Sequence, residues 1–346
     1  MMYQREYKQK LKVAMVGIGS HAYRNLLPAL NYLPVELCAV CNRSNEEILV
    51  NTARQYGCRH YMDSQKMFEN EKLDAVFICT PASVQPHIAA QAFAAGVNVF
   101  VEKPPAENSE QILQMIKDRG SLVAVAGFKK AFMPATDKAI EIVNNPKYGV
   151  PDSILAVYPV KLPDNGKDIL KNKEYTKWHK NSCHPLSFML AVGGKVSYVT
   201  SHVGKNSGIC IIEFENGIIG NLHLATGPQP NEMYNIYGNS WNVKIDNTTR
   251  VIFNRGIPFD YGHTESFISE GEDYGAILWE PQNCLSTLEN KALFIQGIYG
   301  EMKYFCDCIL EKKVPERGSL EFALRVMKVC EAALFSEGKR IKIEEN

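Results

Sequence analysis

The first third of the chain alternates continuous apolar runs with segments whose apolar residues recur at helical spacing. Short continuous apolar runs are typical of parallel strands buried on both faces, and here they lie at 12–16, 35–41, 75–79, 97–101 and 122–126. Helices are expected between them, at 44–57, 64–70, 83–95 and 109–119. The alternation predicts a doubly wound parallel sheet over residues 1–127.

Beyond residue 127 the pattern changes to a succession of strand-like segments, at 154–160, 197–203, 208–214 and 218–225. Glu215-Asn216-Gly217, between the last two segments, is typical of a hairpin turn. Helices return at 136–144, 289–310 and 320–336, and a short strand is expected at 340–343. We therefore predict a second domain over residues 128–346, of α+β type with a mainly antiparallel sheet.

A glycine-rich turn follows the first apolar run, where Val16 leads into Gly17-x-Gly19-x-x-Ala22 and then into a helix-like segment. Gly17 permits the tight turn, Gly19 lets the backbone approach a pyrophosphate, and the helix N-terminus offers N–H groups to the anion. This predicts a Rossmann domain that holds a dinucleotide with Gly17, Ile18, Gly19, Ser20 and His21.

The end of the second strand is where a Rossmann domain reads the cofactor's ribose, usually with a carboxylate when the cofactor is NAD. Here the residues are Asn42, Arg43 and Ser44. A guanidinium and a hydroxyl suit a 2′-phosphate. We expect NADP(H) to be preferred and NAD(H) to remain possible; the alternative is that Arg43 only stacks on the adenine.

The next functional candidate follows the strand at 97–101, where the chain reads Glu102-Lys103-Pro104-Pro105. Ligands of doubly wound sheets bind at the carboxyl ends of the strands, so Lys103 is expected at the mouth of the crevice, near the nicotinamide. An amine there can exchange a proton with a carbinol oxygen. The alternative is a lysine whose stem merely packs at a strand end.

Composition narrows the class of partner. Lys plus Arg and Asp plus Glu number 38 each in 346 residues, which gives no reason to expect a nucleic-acid or membrane partner. The N-terminal segment is polar, and no run approaches the roughly 20 apolar residues of a membrane span. We expect a soluble, cytoplasmic protein with reduced cysteines and no metal site.

Taken in order along the chain, these motifs resemble the Gfo/Idh/MocA family of oxidoreductases. The matching motifs are the glycine turn, Thr80-Pro81 with His87, Glu102-Lys103-Pro104, Gly127-Phe128, His184, Tyr237-Gly238 and the segment from Gly297 to Ser336. The resemblance implies a Rossmann domain followed by a domain with a large open sheet, through which homodimers or homotetramers form. It also implies cofactor contacts from Thr80, Pro81, His87, Glu102 and Lys103.

The resemblance further implies a catalytic histidine, His184, that lies four residues after an aspartate on one helix face. Here position 180 is Lys and position 187 is Ser. His184, with an ordinary pKa near ~6.5, is the second catalytic candidate, although it could be a structural histidine. Lys180, if near Lys103, would lower the pKa of Lys103 and favour an anionic substrate; the alternative is a side chain in solvent.

Two more residues are substrate candidates. Trp178, in the lysine-rich segment 161–180, could offer a flat face to a sugar ring or anchor that segment to the core. Lys129 follows Gly127-Phe128 closely enough to reach the same crevice. The lysine-rich segment itself is expected to be a solvated loop, with steering of an anionic substrate as the alternative.

The expected function is NAD(P)-dependent hydride transfer between the nicotinamide and a secondary alcohol or ketone of a sugar, sugar-acid or cyclitol-like substrate. Lys103 and His184 handle the proton. The missing aspartate leaves two alternatives suggested by relatives of this fold. One is a glycoside-cleaving enzyme that oxidises its substrate transiently with a retained cofactor, and the other is a non-catalytic, NAD(P)-binding regulatory protein.

Overall fold

The computed structural model describes residues 6–224, 232–256, 275–280 and 292–344. Its strands are β1 Leu11–Val16, β2 Val35–Cys41, β3 Arg59–Tyr61, β4 Ala75–Ile78, β5 Asn98–Glu102, β6 Ala124–Gly127, β7 Pro151–Tyr158, β8 Val196–Val203, β9 Gly208–Phe214, β10 Ile219–Leu224, β11 Met233–Gly238, β12 Trp241–Asp246, β13 Arg250–Asn254, β14 Ala276–Trp279 and β15 Ile341–Lys342.

Its α-helices are α1 Leu27–Leu30, α2 Glu46–Tyr56, α3 Ser64–Asn70, α4 Gln85–Ala94, α5 Ser109–Arg119, α6 Pro134–Val143, α7 Gly166–Lys171, α8 Lys177–Gly193, α9 Ala292–Ile295, α10 Ile298–Leu310 and α11 Leu320–Ser336. A π-helical turn, Ala22–Leu26, precedes α1, and a 3₁₀ turn, Lys129–Ala131, follows β6.

The chain forms two compact units, one of residues 1–132 and 297–327 and the other of residues 133–296 and 328–346. This differs from a single boundary after residue 127, because the segment 297–327 returns to the first unit. Phe305 of α10 packs on Phe77 and Phe100, with ring centroids 5.6 and 5.9 Å away. Beside it, the backbone N–H of Ala126 donates to the carbonyl of Gly318 at 2.7 Å.

In the first unit the described strands form one sheet in the order β3-β2-β1-β4-β5-β6, and each neighbouring pair is parallel. The predicted doubly wound sheet is confirmed. Strands β4 and β6 are buried at every position, which is why they read as continuous apolar runs. The order reverses between β1 and β4, and in such sheets the ligand crevice opens at that point.

In the second unit the described strands form a sheet in the order β14-β13-β12-β11-β7-β10-β9-β8-β15. Only its β7–β10 pair is parallel among the described strands, so the predicted mainly antiparallel sheet is confirmed. The hairpin between β9 and β10 turns at Gly217, whose φ of 89° suits glycine. The predicted strand end at Ala225 and helix start at 289–291 lie outside the described residues.

Candidate functional site: a dinucleotide crevice and a lysine at its strand edge

The glycine turn after β1 fits its predicted role. Gly17 has a φ of 95°, and a Cβ on it would lie 2.3 Å from the carbonyl oxygen of Cys79. Its own N–H donates to the carbonyl of Cys41 at 2.8 Å, which joins the ends of β1 and β2. A Cβ on Gly19, by contrast, would meet nothing within 4 Å. The backbone at Gly19 is therefore open to a ligand.

Beside this turn lies a cavity of about 500 Å³. Its lining includes the predicted cofactor residues Gly17, Asn42, Arg43, Ser44, Thr80, Pro81 and His87. It also includes residues that the sequence analysis did not select, namely Met62, Asp63, Ser64, Val84, Ile88 and Gln91. The other predicted cofactor residues, Ile18, Ser20, His21, Glu102 and Lys103, are outside this lining. Of these, Ile18 contacts the lining residue Asn42.

Asn42 lines the cavity and links the glycine turn to the segment that follows β2. Its side-chain oxygen accepts the backbone N–H of Ile18 at 3.4 Å, and its amide nitrogen donates to the carbonyl of Ser44. Helix α2 is capped by Asn45, whose side-chain oxygen accepts the N–H of Ile48 at 3.1 Å. Arg43 and Ser44 are exposed at the cavity rim.

Two polar groups in the cavity bear on what it binds. The hydroxyl oxygen of Thr80 is buried and has no hydrogen-bond partner within the described parts of the chain. Asp63 brings a carboxylate to the same lining as Arg43, and this carboxylate also caps α3 by accepting the N–H of Lys66 at 3.2 Å. In the sequence, Asp63-Ser64 is typical of a helix start. This pattern gives no indication that Asp63 could also contact a ligand.

The Glu102–Lys103 strand end is fixed by its neighbours. The buried side chain of Gln85 donates from Nε2 to the carbonyls of Glu102 at 3.0 Å and Pro104 at 2.7 Å. One carboxylate oxygen of Glu102 lies 3.0 Å from His21 Nε2, and the other accepts the backbone N–H of Lys103 at 3.2 Å. Lys103 is half-buried. Sequence analysis missed Gln85, since a glutamine in the first turn of a helix carries no motif.

Lys129 lies in the 3₁₀ turn after β6 and is half-buried. It acts electrostatically on the same buried carboxyl, that of Glu301, as Lys103 does. The structure thus brings together Glu102, Lys103 and Lys129 in the first unit, and Glu301 joins them although the sequence analysis did not select it.

In the second unit, α8 carries Lys180 and His184 one turn apart. Lys180 is exposed, and His184 is half-buried with its ring centroid 6.1 Å from that of Tyr158. Tyr158 interacts electrostatically with Glu232 and Tyr234. The hydroxyl of Tyr234, which is fully buried, donates to Glu232 at 2.7 Å. Burial and the neighbouring Glu232 raise the pKa of both tyrosines. These hydroxyls therefore stay protonated and can donate.

Trp178 lies in the core of the second unit rather than on an open surface. It is 1% exposed, and its indole N–H donates to the carbonyl of Cys330 at 3.0 Å. This placement fits the anchoring alternative and leaves no open ring face for a sugar. The adjacent His179 is also internal, where it bonds Thr176 at the start of α8, and burial lowers its pKa to about 4.

Among the described residues, none of the helices combines the length and the apolar content that a membrane span requires. No group of three or more His, Cys, Asp or Glu side chains there is arranged to hold a metal ion. Cys38 and Cys41 are free thiols three residues apart on β2, where alternation along the strand points them to opposite faces.

Comparison with known proteins agrees with this geometry. Residues 11–126 match the family model GFO_IDH_MocA, described as an oxidoreductase family with an NAD-binding Rossmann fold. This part of the chain, about a third of its 346 residues, thus resembles the Gfo/Idh/MocA family. The match covers the glycine turn, the cavity lining and the Glu102–Lys103 strand end.

The similarity of this chain to individual proteins is low. A 4-carboxy-2-hydroxymuconate-6-semialdehyde dehydrogenase of Sphingobium is 27% identical over 129 residues, 36% of this chain and 40% of that protein. The chain thus spans about two fifths of that relative's length. A scyllo-inositol 2-dehydrogenase (NAD(+)) of Bacillus subtilis is 20% identical over 89% of each chain. A dehydrogenase structure from Chromobacterium violaceum shares the fold, with a TM-score of 0.79, 20% identity and coverage of 93% and 94%.

Proposed function

We propose that the protein is an NAD(P)-dependent oxidoreductase that interconverts a secondary alcohol and a ketone in a sugar, sugar-acid or cyclitol-like substrate. The observation that carries this proposal is the combination, in one unit, of an open glycine turn at a cavity of about 500 Å³ with a half-buried lysine at the end of β5. The named activity of the Bacillus subtilis inositol dehydrogenase supports the substrate class.

The residues present fit the dinucleotide. Gly19 leaves open the space that a pyrophosphate needs, and Gly17 closes a turn that no larger residue would fit. The buried hydroxyl oxygen of Thr80 needs a partner that the described chain does not supply. When bound, the cofactor supplies the hydride donor or acceptor.

The chain's own part in the reaction is to orient the substrate oxygen and to move its proton. Lys103 projects from a strand end that Gln85 fixes through two hydrogen bonds, so that the backbone from which its side chain extends is held in place before substrate arrives. In the oxidative direction Lys103 Nζ accepts the hydroxyl proton, and in the reductive direction it donates one. We propose that His184 assists in proton transfer, and its half-buried position supports this role.

The proposed activity is tested by incubating the protein with a panel of sugars, uronates and cyclitols and following NAD(P)H absorbance. Stoichiometric change with at least one substrate supports the oxidoreductase. Cofactor that stays bound with no net consumption while a glycosidic bond is cleaved would point to transient oxidation instead, and cofactor binding without turnover would point to a regulatory protein.

We further propose that NADP(H) is the preferred cofactor. Arg43 and Ser44 are exposed at the rim of the cavity, and the guanidinium of Arg43 has no ion-pair partner within the described residues. A free guanidinium is suited to a 2′-phosphate. Asp63 is the one feature of the lining that opposes a phosphate, and its bond to the N–H of Lys66 directs one of its oxygens to α3.

Arg43→Ala is expected to weaken NADP(H) binding selectively. Loss of one charge-assisted contact to phosphate corresponds to about 1.5–3 kcal/mol, or roughly 10–100-fold in Kd, and NAD(H) binding should change little. Titration by nicotinamide fluorescence measures both constants. Arg54→Ala, an exposed arginine on α2, is the control, and equal losses for both cofactors in Arg43→Ala would contradict the assignment.

Lys180 is proposed to favour anionic substrates. Its side chain is exposed, one helical turn before His184 on α8, in the position where the family resemblance places an aspartate. An exposed ammonium beside a substrate-orienting histidine attracts a carboxylate or phosphate.

Lys180→Met should lower the ratio of kcat/KM for an anionic substrate to that for its neutral analogue by about tenfold. Added salt should reduce the same ratio in the wild type. Lys171→Met, at the end of α7, controls for general loss of positive charge. An unchanged ratio in Lys180→Met would place Lys180 outside the substrate's reach.

Finally, we propose a cytoplasmic homodimer or homotetramer that associates through the sheet of the second unit. Ile219 and Tyr237 both pair in register with Ser153, so the three side chains share one sheet face. Ile219 and Tyr237 are each 39% exposed. Two exposed apolar side chains on one sheet face support contact with a second copy of the chain.

A further inference from the structure

A buried carboxyl group lies against the strand pair that ends at Lys103. Glu301, in the first turn of α10, is 1% exposed. Its Oε1 lies 3.3 Å from the point that a Cβ on Gly127 would occupy. Gly127 pairs in register with Glu102 across β5 and β6. The two carboxyl-bearing residues therefore meet at the same end of the sheet.

The two carboxyls differ in their hydrogen-bond partners. Glu102 is met by His21 Nε2 at 3.0 Å and by the backbone N–H of Lys103 at 3.2 Å. The Oε2 atom of Glu301 is buried and has no hydrogen-bond partner within the described ranges. A buried charge without donors is far more costly than a neutral carboxyl in the same place. A proton rather than a negative charge therefore belongs on Glu301.

The surrounding charges shift the pKa of Glu301 in opposite directions. Burial raises the pKa of Glu301 well above its usual range, and the charge of Glu102 raises it further. Lys129, from the turn after β6, and Lys103, from the end of β5, act in the opposite direction. Neighbouring carboxyls whose surroundings differ in this way divide into one that is ionised and one that holds a proton.

We propose that Glu301 is a positioning residue for Lys103: it holds its proton at neutral pH and releases it in alkaline solution, where its new charge keeps Lys103 protonated. An anion beside an ammonium favours the charged form. Glu301 thereby extends to higher pH the range over which Lys103 can donate a proton to a substrate oxygen. The inference depends on the proposed function only for the role of Lys103 in proton transfer.

The test is competitive labelling of lysine amines with acetic anhydride across a pH series, read at Lys103 by mass spectrometry. It needs neither substrate nor cofactor. At neutral pH, Lys103 should label equally in the wild type and in Glu301→Gln, because glutamine copies the neutral carboxyl. In alkaline solution Lys103 should label about tenfold faster in Glu301→Gln, since one neighbouring charge is worth at least about one pKa unit.

Asp307→Asn is the matched control, because it removes a carboxylate from the same helix where that group pairs with Lys303. It should leave Lys103 labelling unchanged at every pH. A difference between wild type and Glu301→Gln already at neutral pH would show that Glu301 is ionised there and would overturn the proposal. Identical labelling of the two proteins at all pH values would show that Glu301 does not act on Lys103. This outcome would also overturn the proposal.

If Glu301→Gln does not fold, carboxyl-carbon NMR of the wild-type protein decides the question. One glutamate carboxyl that is still protonated at neutral pH supports the proposal, and ionisation of all of them overturns it. The proposed function is tested independently of this labelling experiment. Absence of turnover with every substrate and both cofactors would contradict the proposed oxidoreductase activity, but it would not change the labelling rates of Lys103.

Discussion

Replacing Lys103 with methionine is expected to lower kcat/KM by roughly 10²–10⁴-fold, the usual contribution of a positioned proton-transfer group. Methionine keeps the length and apolar stem of the side chain but cannot carry a proton. Cofactor binding should stay within about twofold of the wild type, since the lost group acts on the substrate oxygen. Steady-state kinetics and nicotinamide fluorescence titration measure the two effects on the same samples.

Lys117→Met provides the matched control for Lys103→Met, because Lys117 is exposed on α5 of the same unit. It should leave both kcat/KM and cofactor binding unchanged. If Lys103→Met retained more than about a tenth of wild-type kcat/KM, a loss too small for proton transfer, the assignment of the proton to Lys103 would have to be abandoned.

Gly17→Ala is expected to abolish dinucleotide binding and to destabilise the first unit. The added methyl group would stand 2.3 Å from the carbonyl oxygen of Cys79, at a φ of 95°. Such a clash in a left-handed backbone costs about 1–3 kcal/mol or more, and the turn can relieve it only by moving the N–H groups that face the pyrophosphate. A lower Tm and the loss of saturable NAD(P)H fluorescence are the expected results.

Gly19→Ala separates these two causes. No atom lies within 4 Å of a Cβ at Gly19, so this variant should unfold at the wild-type temperature and still bind the dinucleotide more weakly, because the methyl group projects into the ligand's space. A wild-type Tm together with wild-type affinity in Gly17→Ala would be incompatible with the turn described here.

The hydrophobic pattern located most of the first sheet because its strands are buried on both faces. It did not reveal β3, since Arg59–Tyr61 is a three-residue edge strand with two exposed positions, and such a strand has no apolar run to detect. The hairpin at Gly217 was predictable for the opposite reason, because its turn residues and the flanking alternation agree.

The residues of the candidate site were predictable where they belong to short motifs that directly follow a strand. The turns at Gly17, Asn42 and Lys103 each follow a strand, and a parallel sheet brings strand ends together. Gln85, Asp63 and Glu301 belong to helix starts that read as ordinary capping or amphipathic positions. Trp178 shows the converse: its aromatic ring in a lysine-rich segment suggested a ligand surface, whereas its partner Cys330 is 152 residues away in the sequence.

The return of residues 297–327 to the first unit has a consequence for synthesis of the chain on the ribosome. Val125 of β6 forms a bridge to Ser319, and the N–H of Ala126 reaches the carbonyl of Gly318, so the late segment covers an open edge of the sheet. While residues 133–296 are being made, that edge and the face formed by Phe77 and Phe100 have no cover, and exposed edges of this kind invite pairing with other chains. Most of the polypeptide must leave the ribosome before the first unit can be completed. We therefore expect chaperones to bind the nascent chain.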